Sequence, residues 1–164
     1  MRGGRDVARG EVESEHPRAR GGMAAGVVGG RSMPFTALEI MFSGGAALDP
    51  RDKRGAAYLM TGLLEEGSGD MDAQAFAAAQ EALAASFGFD VYDDTLTISV
   101  RFLTENRLEA LALLKNVLTQ PRFDPEAIER VRKQVLSILA SDAQDPDSVA
   151  GATWSQLAFG EHSY

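Results

Sequence analysis

The chain has 164 residues, 45% of them hydrophobic, which is enough for one domain with a real core. A net charge of −8 and a pI near 4.7 argue against non-specific nucleic-acid binding. No apolar run approaches the length of a membrane span, and the absence of cysteine excludes disulfides, thiolate metal sites and a Cys nucleophile.

The charge is uneven. Residues 1–31 hold six Arg against Asp6, Glu11, Glu13 and Glu15, a net of +2, so the remainder carries −10. Residues 1–24 lack both a secretory h-region and periodic apolar positions, and read as a disordered tail. Ala25 to Gly30 offers at most a weak edge strand, because Gly and small residues dominate it. The domain is therefore placed at 31–164, with 1–30 a disordered or aberrant tail.

Pro34 to Phe42 reads as a strand. Thr36, Leu38, Ile40 and Phe42 share one face, and Phe35, Ala37, Glu39 and Met41 the other. Both faces are largely apolar, which predicts cover on both sides of the sheet. A helix from Gly55 to Glu66 follows and stops at Gly67-Ser68-Gly69, read as a C-cap. Asp70 or Asp72 caps a second, Ala-rich helix from Ala73 to Ala84 or Ala85, with Phe76, Ala79 and Leu83 inward.

Ser86–Val91 and Thr95–Phe102 form a hairpin around Tyr92-Asp93-Asp94. Leu96, Ile98, Val100 and Phe102 point inward. Thr104 caps a third helix, Glu105 to Leu118, with Leu108, Leu111, Leu114 and Leu118 as its stripe. Asp124-Pro125 opens a fourth, with Ile128, Val131, Val135, Ile138 and Leu139 apolar. A fifth runs from about Asp147 to Ala158, and Trp154 on it reads as core. The order β, α, α, β, β, α, α, α predicts an α+β fold, helices on one face of a mostly antiparallel sheet.

Local chemistry is sparse. His16 lies in the tail and His162 near the end, neither with a ligand partner at helical spacing. There is no G-x-S-x-G elbow and no phosphate-binding loop. Glu65-Glu66 and Asp93-Asp94 read as a helix-end cap and a turn rather than a cation site.

Several segments together resemble the insulinase-like, pitrilysin-type zinc peptidase family. They are Ser32-Met33-Pro34-Phe35, Phe42-Ser43-Gly44-Gly45-Ala46-Ala47-Leu48-Asp49-Pro50 and Leu103-Thr104-Glu105-Asn106. Pro121-Arg122-Phe123-Asp124-Pro125-Glu126 and Phe159-Gly160-Glu161-His162-Ser163-Tyr164 complete the set. The resemblance implies half of an insulinase-like, LuxS-like domain. It also implies a zinc motif, H-x-x-E-H, on the Gly55–Glu66 helix. In this chain that motif falls on Tyr58-Leu59-Met60-Thr61-Gly62. The family's distal Glu falls near Ile138 and a supporting Glu at Val131.

With those ligands replaced, the resemblance implies no catalytic, metal or cofactor-binding residue here. Zinc is expected only in an active partner subunit, with a peptide substrate shared between the two chains and a heterodimeric assembly. The alternative is an interaction or structural domain that keeps the fold without a role in proteolysis. The family also leads us to expect a periplasmic protein, a longer domain beyond Tyr164, and a different start, so that this chain reads as a fragment.

Overall fold

A computed structural model describes residues 12–15, 23–30 and 33–160. Its main sheet has the order β1-β2-β3-β7-β6 and is antiparallel throughout. The strands are β1 (Val12–Glu15), β2 (Met23–Gly30), β3 (Met33–Ser43), β6 (Ser86–Val91) and β7 (Thr95–Leu103). A small hairpin, β4 (Gly67–Ser68) with β5 (Met71–Asp72), stands apart from it. The helices are α1 (Ala56–Leu63), α2 (Ala73–Ala82), α3 (Arg107–Thr119), α4 (Pro125–Asp142) and α5 (Pro146–Phe159). This is the expected α+β class.

The helix-facing side of the sheet follows the alternation. Cross-strand pairing puts Leu38 beside Val100 and Ile40 beside Ile98; Phe87 and Phe89 continue the same rows on β6. Ile98, Val100 and Phe102 are buried with Phe76 of α2 and with Ala110, Leu113, Leu114 and Val117 of α3. The Phe76 and Phe87 rings stack at 6.0 Å. Each such side chain contributes about 1.5–3 kcal/mol by leaving water. Asp72 caps α2 by accepting from the Ala75 amide at 2.8 Å. Gly45 lies where the chain crosses the β6–β7 turn. A Cβ there would sit 1.8 Å from the Tyr92 carbonyl, and the Ala46 amide donates to that carbonyl at 2.9 Å.

Several expectations need correction. Val12–Glu15, in the stretch read as a disordered tail, is a strand, and Ala25–Gly30, read as at most a weak edge strand, belongs to β2, which is interior to the sheet. Its stability comes from pairing with β3, so small residues suffice where no alternation signals a strand. Gly67-Ser68-Gly69 is not a helix cap; α1 ends at Leu63 with Leu64 as its C-cap, and Gly67–Ser68 pairs back on Met71–Asp72. The Thr104 hydroxyl caps nothing and instead meets the Thr36 hydroxyl at 2.9 Å. The buried face of α3 is Ala110, Leu113, Leu114 and Val117, which leaves Leu108 73% exposed. Smaller Ala110 and Val117 let α3 lie close to the sheet, and the Leu108–Leu111–Leu118 row turns outward.

The second face of the sheet is also open. Phe35 and Met41 are exposed, and a broad depression of about 870 Å³ runs over Ala24, Gly26, Ala37, Glu39 and Arg101. The helix layer covers one face only. Trp154, read as core, is exposed on α5.

Candidate functional site

The positions that the family resemblance marks for metal chemistry lie on α1 and α4, away from the open sheet face. Helix α1 is short and held firmly at its start. Gly55 takes the left-handed conformation at its N-cap, and the Asp49 carboxylate accepts from the Gly55 amide at 2.8 Å and the Ala57 amide at 3.1 Å. These bonds satisfy two donors that a helix start leaves unpaired. The sequence hid this cap because Asp49 is separated from the helix by a turn of 3-10 helix at Arg51–Lys53.

Along α1, Tyr58 is exposed. Thr61 is only 6% exposed, and its hydroxyl donates to the Tyr58 carbonyl at 2.8 Å, so the buried oxygen is paired within the helix. Leu63 is buried against Ala127 and Val131 of α4, with Leu59, Ile128 and Val135 around them. Gly62 faces α4 at closest range. A Cβ on Gly62 would lie 2.9 Å from Val131 Cγ1. The structure therefore brings Gly62 and Val131 together. Ile138, seven residues on and about 10 Å further along the same helix face, is 47% exposed and outside that contact.

The polar groups nearby make no metal site. Glu66, just past α1, forms an ion pair with Arg130 of α4. Partial desolvation raises the Glu65 pKa above the usual carboxylate range, with further upward pushes from Glu66 and Asp90. Asp124 opens α4 without a side-chain capping bond; its carboxylate pairs instead with Arg122 at 2.9 Å. Among the described residues no three His, Cys, Asp or Glu groups converge as a metal needs. His16 and His162 lie outside the described residues. No helix among those described is long and apolar enough to cross a membrane.

Comparison with known proteins gives the family. Residues 31–162 match the insulinase family, peptidase family M16. The "Non-peptidase homolog YmxG" of Helicobacter pylori is 33% identical over 127 residues, 77% of this chain and 29% of its own length. The crystal structure of the peptidase M16 inactive domain from Pseudomonas fluorescens has a TM-score of 0.82 at 28% identity. It covers 93% of this chain, which spans 37% of that one. Pitrilysin shares the fold, with a TM-score of 0.64 at 17% identity over 80% of this chain and 14% of its own. The chain thus spans 29% and 37% of the first two relatives, both of which are named for lost activity. The chain belongs to the insulinase family, peptidase family M16.

Proposed function

We propose that the chain belongs to the silent half of a two-chain insulinase-type peptidase. It pairs with a zinc-bearing subunit and helps enclose the peptide that the subunit cleaves. The observation that carries this reading is the contact of Gly62 with Val131. At the positions where the family pattern puts a histidine and a supporting glutamate, this chain has a glycine without a side chain and a valine with an apolar isopropyl group. Zinc hydrolysis needs converging nitrogen or carboxylate ligands and a Glu to move the proton. Here Thr61 stands at the Glu position, with its hydroxyl committed to the Tyr58 carbonyl. A fold kept without its chemistry is suited to a role in shape and assembly.

The test mixes the purified chain with a zinc-bearing H-x-x-E-H subunit and follows complex mass and peptide cleavage together. The reading expects a stable one-to-one complex and a several-fold gain in cleavage over the zinc-bearing subunit alone. No complex and no gain would sink it. A complex without a gain would favour a structural role outside proteolysis.

A further inference from the structure

We draw no further inference here: the strongest candidate, the depression on the open face of the main sheet over Ala24, Gly26, Ala37, Glu39 and Arg101, carries none because nothing in the structure shows what covers it.

Discussion

Replacing Gly62 with alanine measures how tightly α1 and α4 meet. In a free helix interior Gly→Ala stabilises by up to about 1 kcal/mol, because the backbone loses less freedom on folding. Here the new methyl carbon would lie 2.9 Å from Val131 Cγ1, closer than such carbons normally sit. Val131 is β-branched and confined to few rotamers in a helix, and it is buried at 4% exposure, so it cannot turn away freely. Overpacking of this kind costs about 1–3 kcal/mol. The two effects leave Gly62→Ala neutral to about 2 kcal/mol destabilising. Val131→Ala alone costs about 2 kcal/mol of burial and packing. In the double variant the two changes compensate, with a coupling energy of about 1 kcal/mol or more. Urea denaturation of the four proteins gives this cycle directly. A Gly62→Ala protein that gains the full helix-propensity term, with additive effects in the double variant, would refute the close approach.

Glu65 should make the fold less stable as pH rises. Its folded pKa is raised, chiefly by desolvation and then by Glu66 and Asp90, so the folded state holds the proton to higher pH than the unfolded chain does. Stability therefore falls as pH climbs from the ordinary Glu pKa through the raised one. Glu65→Gln should raise the neutral-pH denaturation midpoint and flatten that slope; an unchanged slope would remove Glu65 as its source. Asp49→Ala should cost about 1 kcal/mol, the usual value of a helix cap, and should speed amide exchange at Gly55 and Ala57, the two amides it holds. Exchange rates that do not move would show those bonds to be dispensable.

Much of the fold was legible because it rests on local pattern. The alternation Leu96, Ile98, Val100, Phe102 gave β7 its inward face, and Asp72 and Asp124-Pro125 marked the starts of α2 and α4. What failed depended on neighbours. β2 has no pattern of its own and exists through β3. α3 carries leucines on two rows, and only its fit to the sheet selects Leu113 and Leu114 over Leu108. Trp154 was read inward because nothing local distinguishes a core face from one left open. At the candidate site, flanking motifs gave Tyr58, Thr61, Gly62, Val131 and Ile138 as positions. The Gly62–Val131 contact, between residues far apart in sequence, required the packing of two helices.

The most direct test of the central claim is to load the purified chain with zinc, dialyse it, measure bound metal, and assay the same sample alone for peptide cleavage. An α1–α4 pair closed by Gly62 and Val131, with Thr61 at the position the family resemblance assigns to the glutamate, predicts no stoichiometric zinc after dialysis and no chelator-sensitive cleavage. One tightly held zinc per chain, together with cleavage that a chelator abolishes, would contradict it.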